Sequence, residues 1–540
     1  MSMEREYTVI ANTREDLPAL EAEITASSGA GPIPNRSVDV ANPRPGSKIQ
    51  THFMLTDAEA EALRSDPRVR AVEIPPEQRD DISIGLNAYQ TGTFYRGTGL
   101  SNSYVNWGLR RCIEETNIFV SGNARVTTVP TPYEYAVDGT GVDVVIQDSG
   151  IDPDHPEWND KTGSSRLQQI DWYTASGLVG TQSVNHYRDL DGHGSHCASI
   201  AAGLLYGWAK GAHIYSQKLA GLETLQGSDG TGISISDAFD TIRLWHLAKT
   251  NGRPTVVNMS WGYGATVSGD PTGGTYRGTA WTYGVDYTDR ATLMAATGVS
   301  QNFFGGGTTH RIPVRVTSVD AEIEDMITDG IHICIAAGNN LHKVELLGGP
   351  DYDNTVTFGG TTRNYHRGSS PYSDNAFMVG NINSDFVQAA GQSYTTQETL
   401  LDQLDTSSTR GPGVNIWAPG GDIAAATSTN YDTGSYTTAS YPLNEAYPMM
   451  VISGTSMASP QVAGVVACHL QVKPDLTPAQ MQERIWNDSK ATIYETGSDT
   501  DYDRIFDSIV GAPNRMLYNR YGKQAVTVNI GSALTGLTIG

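Results

Sequence analysis

Three short segments that lie far apart in the chain constrain this sequence more than any other feature. They read Asp-Ser-Gly at residues 148–150, His-Gly-Ser-His at 193–196 and Gly-Thr-Ser-Met-Ala-Ser-Pro at 454–460. Each supplies one member of an aspartate, histidine and serine set, at a predicted strand end or helix start. When a carboxylate, an imidazole and a hydroxyl meet, the hydroxyl is activated for attack on a carbonyl carbon. The chain is therefore expected to fold so that these segments converge.

The length and composition are those of a large globular protein. The chain has 540 residues, of which 38% are hydrophobic and 18% are charged, and its 58 glycines indicate many turns. The formal net charge of −23 would repel the phosphates of a nucleic acid, so no nucleic-acid partner is expected. No run of 18 apolar residues is present, which predicts no membrane-spanning helix.

The cysteines and the start of the chain carry two further expectations. Cys112, Cys197, Cys334 and Cys468 are too few and too scattered for a disulfide framework or a Cys-x-x-Cys metal site, and we predict that they are small buried residues. No basic segment followed by an apolar core opens the chain, so no secretory signal is predicted. We therefore expect a cytoplasmic or viral-particle-associated protein rather than one secreted by the general pathway.

Residues 1–78 are predicted to form a small α+β domain, followed by a polar linker at 79–104. Thr56 and Glu59 form a capping-box pattern at the start of its second helix. The expected elements alternate along the chain, with strands at 7–11, 49–55 and 69–74 and helices at 17–25 and 56–64.

Residues 105–522 are predicted to form one large α/β domain. Continuous apolar strands alternate with helices there, which indicates a mostly parallel sheet covered by helices on both faces. Stretches rich in Gly, Thr and Asn near 264–318 and 341–370 are predicted to be surface insertions, and 523–540 is a C-terminal tail. The expected strands cover 142–146, 255–259 and 331–336, and the expected helices cover 194–202, 235–247, 321–328 and 457–470.

Ser456 is the candidate nucleophile. It lies where a loop enters an apolar helix, and the small residues Gly454 and Ala458 leave room for a substrate backbone. Pro460 falls in the first helical turn, where its missing N–H costs nothing, and the helix N-terminus favours developing negative charge. A lone serine here would be read as a helix cap, but the seven-residue context favours catalysis.

His193 and Asp148 are the candidate base and its orienting carboxylate. Glycines on both sides of His193 leave its ring room to meet the serine, from which it would take a proton and return it to the leaving amine. Asp148 ends a strand and would stabilise the imidazolium cation. Asp143 lies inside the same strand, and Asp152 and Asp154 lie past the turn, so they fit less well.

Two alternatives concern neighbouring residues. A metal site made of Asp191, His193 and His196 lacks the i, i+4 histidine spacing of helical zinc sites, so His196 is predicted to pack or hydrogen-bond structurally. Cys197 is a candidate redox or thiol group, but Ser456 already occupies the nucleophile position. No metal site is predicted.

Asn339 completes the candidate site. It follows Ala336, Ala337 and Gly338 at the end of an apolar strand and brings a side-chain amide donor. With the backbone N–H of Ser456 it would form an oxyanion hole for the tetrahedral intermediate. Without this context, such an asparagine would be read as a turn residue.

These motifs resemble those of the subtilase family, the subtilisin-like serine peptidases (S8), over roughly residues 105–522. The chain order of the aspartate, histidine and serine is that of subtilisin. The segments at 107–109, 196–198 and 511–514 are similar to the proteinase K branch. The resemblance implies a doubly wound α/β sheet with helices on both faces and endopeptidase activity on an extended polypeptide.

The resemblance also implies a substrate-binding site. The segment that contains Ser260, Trp261 and Gly262 matches one wall of the primary specificity pocket, and these residues would pair with the substrate backbone as an added strand. Ala337 and Gly338 are the other expected substrate-binding residues.

Residues 1–78 are similar to the inhibitor-type propeptide of such proteases in the order of their elements. The resemblance implies a zymogen, whose leader assists folding and occupies the active cleft as an intramolecular inhibitor until it is cut within 79–104. Alternatively, the leader stays attached and blocks the cleft.

No cofactor is required by this chemistry, and structural calcium is possible without a clear motif. The stretch at 201–207 is short where many relatives insert a calcium loop. Asp499, Asp501 and Asp503 alternate, but Arg504 replaces the glycine of an EF-hand loop, so a solvated acidic turn is predicted.

Two functions therefore remain open from the sequence. One is an active serine endopeptidase made as a self-inhibited precursor. The other is a structural or assembly component, for example of a virion, that retains a protease fold and makes larger assemblies through its insertions.

Overall fold

The computed structural model describes most of the chain as two compact units, Met1–Asn87 and Ala88–Gly540. Their division falls inside the segment that the sequence predicts to be a linker. The described residues are 4–34, 36–42, 47, 49–75, 78, 90–92, 105–117, 133–220, 222, 230–300, 309–388, 400–405, 407–430, 437–495 and 509–524.

The N-terminal unit is an antiparallel sheet with two helices. The four-stranded sheet has the order β4-β5-β1-β6, and β2 and β3 pair with each other. The three strands and two helices predicted for this unit are all present, with ends within two residues of those expected. The elements are β1 (Arg5–Ala11), α1 (Asp16–Ile24), β2 (Gly29–Ala30), β3 (Ile33–Pro34), β4 (Val40–Asn42), β5 (Gln50–Leu55), α2 (Asp57–Arg64) and β6 (Val69–Glu73).

A capping box and a separate core stabilise this unit. Thr56 accepts a hydrogen bond from the backbone N–H of Glu59, whose carboxylate accepts one from the backbone N–H of Thr56, as predicted. Hydrogen bonds from Arg36 lower the pKa of Glu59 to about 2, so the carboxylate stays charged. The fully buried core side chains include Val9, Ile24, Phe53, Leu55 and Leu63.

The larger unit alternates strands and helices along most of its length, and a 3₁₀ helix covers Pro156–Trp158. Its other elements are β7 (Gln90–Gly92), α3 (Gly108–Arg111), β8 (Tyr133–Tyr135), β9 (Asp143–Asp148), β10 (Leu167–Gln168), α4 (Trp172–Ser176), α5 (His193–Ala202), β11 (His213–Lys218), α6 (Ile235–Ala248), β12 (Thr255–Met259), β13 (Gly264–Ser268), β14 (Gly273–Tyr276), β15 (Thr279–Thr282), α7 (Arg290–Thr297), β16 (Thr309–Pro313), α8 (Thr317–Thr328), β17 (His332–Ala336), β18 (Thr355–Phe358), β19 (Thr361–Asn364), β20 (Phe377–Gln388), β21 (Leu400–Leu404), β22 (Ile416–Pro419), β23 (Ile423–Ala426), β24 (Thr437–Tyr441), β25 (Asn444–Ile452), α9 (Thr455–Val472), α10 (Pro478–Asp488) and β26 (Gly522–Gln524).

An eight-stranded sheet forms the centre of this unit and confirms the predicted mostly parallel α/β fold. Its order is β10-β11-β9-β12-β17-β20-β21, with β22 also paired to β20, and only the β20–β21 pair is antiparallel. Alternate residues of β9 face opposite sides: Val144 and Ile146 pack in one core, and Val145 in another. Helices α5 and α9 cover the first face, and α4, α6 and α8 cover the second.

The described residues of the two predicted insertions fold together into one small body, which we call the insertion module (residues 264–300, 309–313 and 344–367). Its four-stranded sheet, ordered β15-β14-β18-β19, takes two strands from each insertion. Arg277 and Asp351 join the two parts through an ion pair of 2.7 Å between Nε and Oδ1. The module has its own core, which includes Val267, Trp281, Leu293, Ile312, Val356, Phe358 and Tyr365.

Smaller differences from the sequence prediction lie at the borders. Helix α8 begins at Thr317 rather than 321, so the first insertion ends before 318; its polar first turn, Thr-Ser-Val-Asp, carries little apolar signal. The C-terminal tail from residue 525 onwards and the acidic run at 499–503 lie outside the described residues. Within the described part of the chain, no helix is long and apolar enough to cross a membrane.

Candidate active site

Asp148 and His193 meet at the carboxyl edge of the central sheet. Strand β9 ends at Asp148, which is 2% exposed, and α5 begins at His193. The imidazole Nδ1 lies 2.8 Å from Oδ1 of Asp148, and the backbone N–H of Ser149 donates to the same oxygen at 2.7 Å. Because the carboxylate accepts from Nδ1–H, the tautomer is fixed and Nε2 is left as the acceptor.

The carboxylate also sets the protonation of the histidine. Burial pulls the pKa of His193 down, but the Asp148 carboxylate outweighs this effect, and the net pKa lies well above the usual value of 6.5. The side chain is 27% exposed, so solvent still reaches the ring. The charged imidazolium is therefore stabilised in this position.

A glycine allows the two segments to approach this closely. A Cβ placed on Gly194 would lie 2.1 Å from the carbonyl oxygen of Gly150 and 3.2 Å from the Cβ of Asp148. Any larger residue would push the start of α5 away from the end of β9. The glycine after His193 is thus needed for close backbone contact, whereas the sequence analysis predicts that it gives the imidazole ring room.

Ser456 lies in the first turn of α9. Its hydroxyl donates to the carbonyl of Ser260 at 3.1 Å, and within the described residues no hydrogen bond joins it to His193. The thiol of Cys197 lies 3.9 Å from Nδ1 of His193 and 3.4 Å from the carbonyl oxygen of Ser456. Asp148 and His193 are therefore in direct contact, and Cys197 connects His193 to the Ser456 segment, while the serine hydroxyl is turned towards Ser260.

Asn339 directs its side-chain amide towards the start of α9, where Ser456 lies. Its Oδ1 accepts hydrogen bonds from the backbone N–H and the hydroxyl of Thr455, both at 2.8 Å, which assigns the amide orientation and leaves Nδ2 as the outward donor. Gly454 has φ +150°, and a Cβ there would lie 3.0 Å from Nδ2 of Asn339. The backbone N–H of Ser456, in the first helical turn, has no partner inside the helix. Two donors thus flank the serine.

A cavity of about 260 Å³ adjoins Ser456. Ser260, Trp261, Gly262 and Gly338 line it, as the predicted substrate-binding positions require. The lining set is Ser260, Trp261, Gly262, Tyr263, Gly264, Ala336, Gly338, Asn339, Asn340, Ser369, Thr455 and Ser456.

Ala337, which the resemblance also predicts to bind substrate, does not line this cavity. Ala336 and Gly338 line the cavity, whereas Ala337 packs in the core, and its backbone N–H donates to the carbonyl of Val379 at 3.0 Å. Successive residues of an extended segment face opposite sides, so only one of the two alanines can face the cavity.

Sequence reasoning missed Ser369, which closes the far side of the cavity. A Cβ on Gly262 would lie 2.7 Å from the Ser369 hydroxyl oxygen, so the two segments are in contact. The backbone N–H of Tyr263 donates to the carbonyl of Ser370 at 3.0 Å and fixes this contact. No local motif marks Ser369, because it meets Gly262 only through long-range pairing.

A chain of hydrogen bonds holds the backbone of Ser456 in place. Ser459 donates to Asn258 Oδ1 at 2.8 Å, Asn258 donates to the Ser260 hydroxyl at 3.0 Å, and that hydroxyl donates to the carbonyl of Ser456 at 2.9 Å. Ser260 therefore holds the nucleophile segment with its side chain as well as bordering the cavity.

The alternative residues occupy other positions. His196 is fully buried with Nε2 3.2 Å from the carbonyl of Met450, and burial lowers its pKa to about 3, so it is a neutral structural residue as predicted. Asp143 pairs with Lys249 and Arg253 at the opposite end of β9. Burial raises the pKa of the Cys197 thiol, which disfavours the thiolate that a nucleophile or redox group needs.

A buried carboxylate organises the short stretch at 201–207. Glu157 accepts hydrogen bonds from the backbone N–H groups of Leu205 and Tyr206 and from the hydroxyls of Ser199 and Tyr441, at 2.7–3.1 Å. These protein donors hold the turn that follows α5.

Comparisons with known proteins identify the family of the chain. Residues 139–512, more than half of the chain, match the model of the subtilase family, peptidase S8. The chain therefore belongs to the subtilase family.

Among curated relatives, the alkaline serine exoprotease A of Vibrio alginolyticus is 25% identical over 465 residues, covering 86% of this chain and 57% of that protein. The extracellular serine proteinase of Thermus sp. (strain Rt41A) is 23% identical over 427 residues, covering 79% of this chain and 67% of that protein. The crystal structure of a cold-adapted subtilisin-like serine proteinase superposes with a TM-score of 0.44 and 21% identity, over 76% of this chain and 97% of that one.

Proposed function

We propose that this chain is a serine endopeptidase that cleaves polypeptides through an acyl-enzyme. The observation that carries the proposal is the 2.8 Å contact between Asp148 and His193, which Cys197 connects to the Ser456 segment, with two hydrogen-bond donors at the same serine. The three groups come from segments that are far apart in sequence. None of the relatives reported above is named as a structural or assembly component, and no observation on the described residues favours that alternative.

Acylation uses each of these groups in turn. Rotation about the Cα–Cβ bond of Ser456 brings its hydroxyl from Ser260 to Nε2 of His193, which takes the proton as Oγ attacks the scissile carbonyl carbon. Asp148 stabilises the resulting imidazolium. His193 then gives the proton to the amine nitrogen, the C–N bond breaks, and an ester remains on Ser456.

Deacylation repeats the same chemistry with water. A water molecule gives a proton to Nε2 of His193 while its oxygen attacks the ester carbon. The Ser456 oxygen regains the proton as it leaves, and the carboxylic acid product is released. In both halves Nδ2 of Asn339 and the backbone N–H of Ser456 donate to the oxyanion. The mechanism requires no cofactor.

The N-terminal unit is proposed to be an inhibitor-type propeptide, and the catalytic unit to belong near the proteinase K branch. The propeptide proposal is supported by the order of elements in the N-terminal unit, by the separate core of that unit and by its place before the polar segment 79–104. Release of this unit, by a cut within 79–104, would then precede full activity.

One experiment tests both proposals. The full chain is incubated with a fluorophosphonate probe, with mass spectrometry to locate the adduct and N-terminal sequencing of the labelled product. We expect the adduct on Ser456 and a new N-terminus within 79–104, while heat-unfolded chain stays unlabelled. If a chain that begins at residue 105 and is folded by circular dichroism takes no label, the peptidase proposal fails; labelling without any cut contradicts only the zymogen proposal.

Substitutions of Asn339 separate its proposed role as an oxyanion donor from its role as a hydrogen-bond acceptor for Thr455. Asn339→Ala removes the oxyanion donor and is expected to lower kcat by about 10²–10³-fold, the effect of losing such an amide in subtilisin, with little change in KM. Asn339→Asp keeps an acceptor for Thr455 but offers no amide donor, so it should lose at least as much.

Steady-state kinetics on a chromogenic peptide measure these changes. Asn251→Ala, in an exposed turn, is the matched control and should leave kcat unchanged. If Asn339→Asp keeps the activity of the unmodified chain, Asn339 acts only by holding Thr455 and is no oxyanion donor.

A further inference from the structure

A fully buried carboxylate, Asp189, lies behind the contact between Asp148 and His193. It is 0% exposed and belongs to the loop that leads into α5. Nothing in the proposed reaction uses it. A buried charge is costly unless hydrogen bonds satisfy it, so its partners indicate what it does.

Five donors converge on this one carboxylate. Oδ1 accepts from the Ser149 hydroxyl at 2.9 Å and from the backbone N–H groups of Asp191 and Gly192 at 3.1 and 2.8 Å. Oδ2 accepts from the backbone N–H and the hydroxyl of Ser195 at 2.9 and 2.6 Å. All five donors belong to the two segments that carry Asp148 and His193.

Ser149 links these two segments directly. It follows Asp148 in the chain, donates its hydroxyl hydrogen to Asp189, and accepts a hydrogen bond from the backbone N–H of Gly194 at 2.9 Å. Ser195 makes the second link, because its hydroxyl accepts from the backbone N–H of Asp152 at 3.0 Å. The residues on both sides of the Asp148–His193 contact are thus tied to one carboxylate.

The outer side of the loop is held as well. The hydroxyl of Thr427 donates to the carbonyl of Gly192 at 3.1 Å, and the hydroxyl of Ser428 donates to the carbonyl of Asp189 at 2.6 Å. The loop is therefore fixed from two sides, and its inner fixed point is the Asp189 carboxylate.

We propose that Asp189 is a positioning residue that holds His193 against Asp148 in the orientation the reaction needs. The proposal rests on the proposed peptidase function, but Asp189 itself touches neither substrate nor reacting atoms. It acts through Ser149 and Ser195 on the distance and angle of the Asp148–His193 hydrogen bond.

The chemistry of a carboxylate explains why an aspartate is required. Both oxygens accept, so all five donors are satisfied at once, whereas an asparagine would place an NH₂ group against two or three of them. Burial raises the pKa of Asp189, and the hydrogen bonds from Ser195, Gly192 and Ser149 oppose that shift. Removal of the acceptor would leave buried N–H groups unpaired and loosen both segments.

The test substitutes Asp189→Asn in the full chain and measures kcat, KM and the pH dependence of kcat/KM. We expect kcat to fall by about 10- to 100-fold with KM nearly unchanged, because a misplaced imidazole slows proton transfer without altering substrate contacts. The acidic limb of the profile should move to lower pH, since His193 loses part of its contact with Asp148. Among the described residues, the other titratable groups that interact with His193 are Cys197 and His196 on α5, and both are unchanged.

A double-mutant cycle separates positioning from simple loss of stability. If Asp189 acts through the Asp148–His193 hydrogen bond, Asp189→Asn should cost less than about threefold once Asp148→Asn is already present. Asp351→Asn, which removes a buried ion-paired carboxylate in the insertion module, is the matched control. It should lower the melting temperature while leaving the pH profile unchanged.

Two further measurements keep the proposal testable. If Asp189→Asn does not fold, Ser149→Ala removes one link only and should produce the same changes at smaller size. Proton NMR of the His193 Nδ1–H signal reports the hydrogen bond without turnover, so it separates this proposal from the peptidase proposal. The proposal is overturned if the signal, the pH profile and kcat of a folded Asp189→Asn or Ser149→Ala protein match the unmodified chain, or if the cycle is additive.

Discussion

Replacement of Ser456 by alanine is expected to lower kcat for peptide hydrolysis by about 10⁶-fold, the scale of the corresponding loss in subtilisin. The change removes the oxygen that forms the acyl bond, and no other hydroxyl occupies its position at the start of α9. The residual rate would come from the oxyanion donors and substrate binding alone.

The fold should tolerate this change. Among the described residues, the Ser456 hydroxyl makes one hydrogen bond, to the carbonyl of Ser260 at 3.1 Å. The contacts of the Ser456 carbonyl with Ser260 and Cys197 do not involve the hydroxyl. We therefore expect a melting temperature close to that of the unmodified chain. Loss of activity with retained stability would assign the effect to chemistry.

Active-site titration and steady-state kinetics measure the change, and Ser489→Ala is the control. Ser489 follows α10, away from the site, and its hydroxyl donates to the carbonyl of Trp486. It should leave kcat unchanged. If Ser456→Ala kept kcat within tenfold of the unmodified chain, Ser456 would not be the nucleophile.

Asp148→Asn is expected to lower kcat by about 10⁴-fold, as the same change does in a serine protease triad. An asparagine can present its NH₂ group to Nδ1, which favours the tautomer with the proton on Nε2 and so blocks its action as a base. The lost charge also removes the stabilisation of the imidazolium.

The direction in which Asp148→Asn shifts the pH dependence of kcat/KM can also be predicted. In the unmodified chain the pKa of His193 is raised, so the neutral base is lost as pH falls through that raised value, and kcat/KM should fall with it. Asp148→Asn removes the group that raises the pKa, so the midpoint of the acidic limb should move to lower pH. A profile of kcat/KM between about pH 5 and 9 measures the midpoint.

The control is Asp286→Asn in the insertion module, where Asp286 accepts from the backbone N–H of Thr282 at 2.8 Å. It makes the same chemical change far along the chain and should leave the midpoint in place. An unchanged midpoint in Asp148→Asn would mean that another group governs the titration.

Local patterns made the main elements and the three central residues predictable. Strands β9, β12 and β17 are continuous apolar runs, and the segments around Asp148 and His193 place these residues at strand and helix ends in the structure as in the sequence. Such signals depend on residues within a few positions of each other, so one sequence is enough to read them.

The features that sequence reasoning missed depend on contacts between distant segments. Ser369 borders the cavity because its segment pairs with Tyr263, and Asp189 matters because two segments bring their donors to it. Prediction that Ala336 rather than Ala337 lines the cavity also requires knowledge of which side chains at the end of β17 face it. None of these leaves a periodic or composition signal.

The shared core of the insertion module makes its two parts a single cassette. Trp281 and Leu293 from the first part pack with Val356 and Tyr365 from the second. Removal of either part would therefore expose an apolar surface on the other. The ends of both parts return to the wall of the cavity, where Tyr263 binds both Ser370 and Val314 through its backbone. Loop grafts into or out of this chain must therefore exchange both stretches at once, because a graft of one alone would disturb the wall of the cavity as well as folding.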